Sequence, residues 1–322
     1  MSVSTEVPGV RPYKLGIVGA GAVGSALAYA SLIRGSARII SLYDINPKKV
    51  DAEVEDLTHG SMFTPSEVMG GADPEVLRDS TIIIITAGAA QKPGQTRLEL
   101  AEVNAKIISD MMPTLLGVAP DATYVIVTNP CDVLTVVAQQ VSGLPSSRVF
   151  STGTLLDTSR LRSQLAERAG VSESNVHAYV VGEHGDSEFP SWSNAHIANM
   201  PLRDWEVGGV RVFTDAILDE LAESVRTAAY RVIEGKGATN YAIGLTGSYL
   251  VESLLSTTRR VLPLSSVLDD YFGVSGVALS VPCLIGGAQI VDTVHSSMTA
   301  SEIRQFRESA DAVRATLRSI GH

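Results

Sequence analysis

Short, wholly apolar runs alternate along the first half of the chain with longer stretches whose apolar residues recur at helical spacing. Residues 14–18, 38–44, 81–88 and 123–129 read as buried strands, the third of them carrying four isoleucines in a row. Helical patterns follow Gly24, span residues 47–57 and begin again near Leu98. Strands that alternate with helices predict a parallel sheet covered on both faces, with ligands at the carboxyl ends of its strands. In the second half, residues 153–170 form a helical pattern with a glycine stop, and residues 176–181 read as one extended run. From Thr214 to about Arg260 the pattern is helical, broken by two glycines within 234–240. Two antiparallel strands follow, V-L-P-L-S-S-V-L and V-A-L-S-V-P-C-L-I-G-G, with a turn inside 269–273. A capping-box pattern, T-A-S-E at 299–302, opens a closing amphipathic helix. The expected fold is α/β, a doubly wound parallel sheet over residues 1–150 followed by a mixed α/β (α+β) domain over 151–322.

Composition narrows the partners. With 25 basic against 35 acidic residues the chain carries a net charge of −10, which disfavours nucleic acid and anionic membrane surfaces. An anionic ligand must then be held by local arginines. The two cysteines, Cys131 and Cys283, have neither metal-ligand spacing nor the look of a disulfide framework, so no metal is expected and a reducing cytoplasm is. No apolar run approaches the roughly 18 residues of a membrane span, and the first 13 residues lack the apolar core of a signal peptide.

Chemistry concentrates at strand ends. The first strand enters G-A-G-A-V-G, Gly19 to Gly24, and a helix follows. There Gly19 makes the tight turn, Gly21 admits a pyrophosphate, Gly24 lets helix pack on strand, and Val23 lies beside the cofactor. Asp44, about 20 residues on, ends the next strand, where a carboxylate accepts from both adenosine ribose hydroxyls and repels a 2′-phosphate. This favours NAD over NADP. Asp44 could instead cap the helix that starts at Pro47, and it can serve only one of those geometries. Lys49 is placed to touch the adenosine end or solvent alone. Gly88 and Asn129 both sit at strand ends, and the Asn129-Pro130 bond is a candidate for cis geometry. The polar stretch 89–97, starting at Ala89 and carrying Gln91 and Arg97, reads as a surface loop able to close over a substrate. In the helix after Gly153, Asp157 and Arg160 share a face, while Arg162 points roughly 200° round the axis from Arg160. His184 stands past the extended run, between Gly182 and Gly185, as a group that titrates near neutral pH. His177 projects from within that run, so the two histidines serve different ligands.

Taken together, G-A-G-A-V-G, Y-D-I-N, T-A-G-A-A-Q-K-P-G-Q-T-R-L, V-T-N-P-C-D-V-L, G-T-L-L-D-T-S-R-L-R, G-E-H-G-D-S-E and K-G-A-T-N-Y-A-I closely resemble the L-lactate dehydrogenases of the lactate/malate dehydrogenase family, in order and spacing over nearly the whole chain. The resemblance implies a Rossmann-type NAD-binding domain and reversible hydride transfer between (S)-lactate and pyruvate. It assigns His184 to proton exchange with the substrate's C2 oxygen, Asp157 to its orientation, and Arg160 to the substrate carboxylate. Arg97 would polarise the carbonyl as the loop closes, Asn129 and Thr239 complete the polar lining, and Ile243 walls the nicotinamide.

Substrate choice rests on Gln91, where malate-specific relatives carry an arginine for a second carboxylate; glutamine leaves a neutral pocket for a methyl group. Malate dehydrogenase, another 2-hydroxy-acid dehydrogenase and a non-catalytic protein on the same fold are the rival readings. Gln95 departs from the glutamate usual in the family. Arg162 and His177 match the pair that, in many bacterial members, binds fructose 1,6-bisphosphate across a subunit interface. The resemblance therefore implies an allosteric homotetramer of glycolysis and fermentation.

Overall fold

The computed structural model describes residues 13–89 and 96–322, without the side chain of Arg97. Its first half is built of β1 (Lys14–Val18), α1 (Ala22–Arg34), β2 (Ile39–Tyr43), α2 (Pro47–Gly60), β3 (Glu67–Gly71), β4 (Ile82–Ile85), α3 (Arg97–Val118), β5 (Thr123–Ile126), α4 (Cys131–Ser142) and β6 (Val149–Ser151). The second half holds α5 (Leu155–Ala169), β7 (Val176–His177), β8 (Val180–Val181), β9 (Phe189–Pro190), β10 (His196–Ile197), β11 (Met200–Pro201), β12 (Glu206–Val207), β13 (Val210–Arg211), α6 (Asp215–Lys236), α7 (Tyr241–Leu254), β14 (Arg260–Val267), β15 (Ala278–Gly286), β16 (Gln289–Thr293) and α8 (Ala300–Ser319).

Strands β1 to β6 pair in parallel in the order β3-β2-β1-β4-β5-β6. This is the doubly wound order of a Rossmann domain, with its reversal of direction between β1 and β4. All four residues of β4 and of β5 are buried, as strands covered on both faces require. The sheet does not end at β6. Ser151 and Phe150 pair antiparallel with Ser265 and Ser266 of β14, and β15 and β16 extend it to nine strands. The main core runs the length of this sheet and takes in Phe306, Ala310 and Val313 of α8, while a second core gathers α5, α6 and the short strands around Leu161, Val180 and Phe213.

Both capping boxes close as their sequences require: Thr299 with Glu302 before α8, and Thr96 with Glu99 before α3. Asn46, not Asp44, caps α2, its side chain accepting from Lys49 N. Three expectations change. Residues 176–181 are not one strand but two of two residues each: β7 pairs with β10 and β8 with β9. The helical stretch after Thr214 runs unbroken through Gly235 and stops at Gly237, whose φ of 82° supplies the left-handed cap; α7 then ends at Leu254, short of Arg260. Finally, two strands are shorter than their apolar runs, β4 ending at Ile85 before Gly88 and β5 at Ile126 before Asn129. Among the described residues no helix is long and apolar enough to cross a membrane.

Candidate active site

The turn after β1 is built for close approach. Gly19 has φ of 104°, and its N–H donates to Tyr43 O at 2.7 Å. A Cβ on Gly24 would lie 1.8 Å from Gly19 O, so helix α1 can start against the turn only with glycine there. At Gly21 a Cβ would meet only Lys49 Nζ, at 4.0 Å, so the space over this residue is open. Gly21 also caps α1 without a side-chain hydrogen bond, leaving the helix's first N–H groups for a ligand. The half-buried Val23 stands in that first turn. A pyrophosphate fits this cradle, and the ammonium of Lys49 hangs over the turn itself rather than beyond it. Asp44 Oδ2 accepts from Ala20 N at 2.7 Å and Oδ1 from Asn46 N at 2.9 Å. Each oxygen keeps acceptor capacity for ribose hydroxyls. The carboxylate is thus fixed to the phosphate turn, and the helix cap it could have been is supplied by Asn46.

The ends of β4 and β5 are tied together by a residue the sequence did not flag. Asn104, buried in α3, accepts from Ala89 N at 2.7 Å and donates to Asn129 O at 2.8 Å. Gly88 packs so tightly against Thr128 that a Cβ would lie 2.3 Å from its methyl carbon. The peptide between Asn129 and Pro130 is cis.

Across from this crevice lies the histidine loop. His184 Nδ1 is 2.7 Å from Asp157 Oδ2, and Arg160 Nη1 donates to Asp157 Oδ1 at 2.7 Å. Asp157 is buried while the imidazole is 26% exposed, so the ring's other nitrogen, Nε2, is the one free to face a ligand. Glu188, also buried, brings Oε2 to 3.8 Å from the same Nδ1. Burial alone would favour a neutral imidazole, but Asp157, with Glu188 and Asp132 behind it, raises the His184 pKa to about 10. Burial likewise works to raise the Asp157 carboxyl, yet His184 and Arg160 hold it below the usual carboxylate range. Glu188 is pushed well above its ordinary value by burial and by the nearby Asp157 charge. The cluster can therefore keep a proton on His184 at neutral pH and offer it through Nε2.

The loop is clamped by its surroundings. Gly182, with φ of 92°, exchanges both backbone hydrogen bonds with Ser280 of β15. Asp132 of α4 accepts from His184 N at 2.7 Å, and Ser309 of α8 from Glu183 N at 2.7 Å. Tyr230 of α6 reaches Asp186 Oδ1 at 3.1 Å. Thr239 lies in the break between α6 and α7 and Ile243 in the first turn of α7, both half-buried. Asp157, His184 and Glu188 also bring three potential metal-ligand atoms within 4.8 Å of one another, but Nδ1 and Asp157 already share a hydrogen bond there.

Arg162 faces away from this cluster. It donates Nε to Ala178 O at 2.9 Å, lies over the Tyr179 ring, and lines a surface cavity with Arg34, Ser174 and Thr246. His177 is exposed on β7, paired with His196 of β10. Gln91 and Gln95 lie outside the described residues.

A family model for the lactate/malate dehydrogenase NAD-binding domain matches residues 13–151, and one for the lactate/malate dehydrogenase alpha/beta C-terminal domain matches 154–321. The chain is 46% identical over 314 residues to an L-lactate dehydrogenase of Bifidobacterium animalis subsp. lactis (strain AD011), covering 97% of this chain and 98% of that protein. It is 40% identical over 308 residues to one of Thermus aquaticus, covering 96% and 99%. Among solved structures, the minor L-lactate dehydrogenase from Enterococcus mundtii in a ligand-bound form superposes with a TM-score of 0.90 at 35% identity, over 95% of this chain and 98% of that one. A lactate dehydrogenase from a Medee basin deep-sea metagenome library, MGS-M5, gives 0.92 at 33% identity, over 97% and 100%. By both family models and by these full-length likenesses, the chain belongs to the lactate/malate dehydrogenase family of NAD-dependent oxidoreductases.

Proposed function

We propose that the protein interconverts (S)-lactate and pyruvate, the activity of an L-lactate dehydrogenase, and that residues 1–150 bind NAD while 151–322 supply the substrate side. The observation that carries this reading is the His184–Asp157–Arg160 chain of contacts. Bound NAD supplies the two-electron chemistry by accepting or returning a hydride at C2. The protein supplies the rest. Gly19, Gly21, Val23 and Gly24 would cradle the pyrophosphate with Lys49 near them, Asp44 would accept from the adenosine ribose, and Gly88, Ala89 and Asn129 would border the nicotinamide end.

His184 Nε2 gives its proton to the C2 oxygen as pyruvate is reduced, and takes one from lactate in the reverse direction. Asp157 holds Nδ1 and keeps the imidazolium form available. Arg160 spends one nitrogen on Asp157, and its planar guanidinium still offers others to the substrate carboxylate. Arg97 polarises the carbonyl as negative charge develops on oxygen. Thr239 and Asn129 complete the polar lining, Ile243 its apolar wall, and Gln91 leaves the pocket neutral where oxaloacetate would need a cation.

Arg162 and His177 form the effector site for fructose 1,6-bisphosphate in a cytoplasmic homotetramer at the fermentative end of glycolysis. Their support is placement: Arg162 is bonded to Ala178, the neighbour of His177, and both lie away from the proton-transfer cluster. Steady-state NADH oxidation with pyruvate, oxaloacetate and bulkier 2-oxo acids, each with and without the bisphosphate in phosphate-free buffer, tests both parts. Preference for oxaloacetate would overturn the lactate reading. Overlapping pyruvate curves would overturn the effector site.

A further inference from the structure

The buried carboxylate behind His184 is used by none of the roles above. Asp132 is the second residue of α4, which Cys131 opens after Pro130, and is 2% exposed. Its Oδ2 accepts from the backbone N–H of His184 at 2.7 Å, a contact that spans 52 residues of sequence. Its Oδ1 is buried without a closed hydrogen bond, although the Ser265 hydroxyl of β14 faces the carboxyl closely enough to pull its pKa down; the Ser151 hydroxyl on β6 is likewise buried without one. Those two serines are partners across the strand pair that joins the halves of the sheet. A single carboxylate with one satisfied oxygen is a costly thing to bury. A neutral acceptor such as asparagine could hold the same N–H. The charge therefore calls for a reason, and the nearest cation is the imidazole whose backbone Asp132 holds.

Resting on the reading of His184 as the proton-transfer group, we propose that Asp132 is a positioning residue for that transfer: it fixes the His184 backbone from behind and adds its own negative charge to those of Asp157 and Glu188 near the imidazolium. Asp157 orients the ring through Nδ1; Asp132 anchors the main chain from which the ring swings. The two act from different elements, α5 and α4, so the histidine is fixed at both ends. The charged groups that bear on Asp132 are His184 and Glu183 from the loop, with Ser265 facing it from β14 and the Cys131 thiol beside it on α4. Burial lifts the Asp132 carboxyl to about 6, against the pull of Ser265 and His184. Near neutral pH it is ionised, and below that value it loses its charge. Ser309, which accepts from the preceding N–H of the same loop, that of Glu183, carries no charge and serves as the comparison.

The test uses the full-length enzyme with isotope-labelled histidine, His184 being identified by the resonance lost in His184→Asn. Asp132→Asn keeps an acceptor for the N–H and removes the charge. The His184 titration and the alkaline fall of pyruvate reduction should move to lower pH together, by roughly half a pH unit or more. Asp132→Ala also removes the acceptor and should lower kcat roughly 10- to 100-fold with NADH affinity kept. Ser309→Ala should leave the pH profile where it is. In the wild-type enzyme the His184 resonance should show a second step near pH 6, which keeps the inference open to test should the variants not fold. An unmoved titration in Asp132→Asn, or a wild-type resonance with no such step, would overturn it. Because the titration needs no turnover, a protein that reduced no 2-oxo acid yet showed these shifts would sink the lactate reading and leave the role of Asp132 standing.

Discussion

Two carboxylates, Asp157 and Glu188, face one ring nitrogen of His184, at 2.7 and 3.8 Å, and this arrangement sets the pH behaviour of the site. With the imidazole pKa raised to about 10, the proton that His184 would give to pyruvate under the proposed function stays in place through neutral pH and is lost as pH climbs towards that value. The same shift contributes stability that is complete below the ordinary histidine value of 6.5 and disappears as pH rises through about 10. Asp157→Asn removes the leading cause of the increase. Its alkaline fall in kcat/KM for pyruvate should move down towards 6.5, and activity at pH 8 should drop by up to roughly 30-fold, measurable as NADH oxidation across a pH series. An unchanged profile would mean that Asp157 does not set the charge of His184. These roles follow from contacts between distant parts of the chain. The sequence pattern placed Asp157 and Arg160 on one helix face, but the closeness of His184 came only from family resemblance. Asp132, Glu188 and Asn104 escaped notice because each acts on a partner that no local spacing predicts, such as Asn104 joining Ala89 to Asn129.

The first βα turn separates two functions that one glycine motif combines. Gly24→Ala drives a Cβ to within 1.8 Å of Gly19 O, so the start of α1 must shift, and both thermal stability and NADH affinity should fall. Gly21→Ala meets nothing nearer than Lys49 Nζ at 4.0 Å. That variant should keep its melting temperature and still lose NADH affinity, roughly 10-fold or more, because the methyl stands where the pyrophosphate approaches. Fluorescence titration with NADH beside a thermal scan distinguishes the two. At the other end of the chain, Thr299→Ala removes the reciprocal cap of α8 and should cost about 1 kcal/mol of stability with kcat for pyruvate unchanged. Elements governed by such local chemistry were legible in advance: the glycine turn, the cap of α8, the glycine stop at Gly170 and the hairpin of β14 and β15. The two-residue strands between 176 and 211 were not. Their hydrogen bonds link segments that carry no periodicity of their own, so β7 and β8 looked like one apolar run until β10 and β9 claimed them separately.

A nine-stranded sheet that runs through both halves gives the molecule a mechanical continuity that a division near residue 150 conceals. β6 is the joint, held by β5 on one side and β14 on the other, and α1 packs along α7 across the same divide. The second core, around α5, α6 and the short strands, is tied to that sheet through the adjacent pair Val180 and Val181, one in each core. Both tryptophans of the chain, Trp192 and Trp205, pack against this second core, whereas the cradle for NAD is at the end of β1 in the first half. Tryptophan fluorescence therefore reports on the second core, and the cofactor on the turn that ends β1. Ligand that binds only the folded state stabilises by about 2.7 kcal/mol at 100 times its dissociation constant. If the shared sheet makes unfolding cooperative, saturating NAD should raise the tryptophan transition and the far-ultraviolet circular dichroism transition by the same interval, and the two should coincide with and without it. A tryptophan transition that stayed put while the dichroism transition moved would show the second core opening by itself, and would break the mechanical link between the cofactor turn and the loop that carries His184.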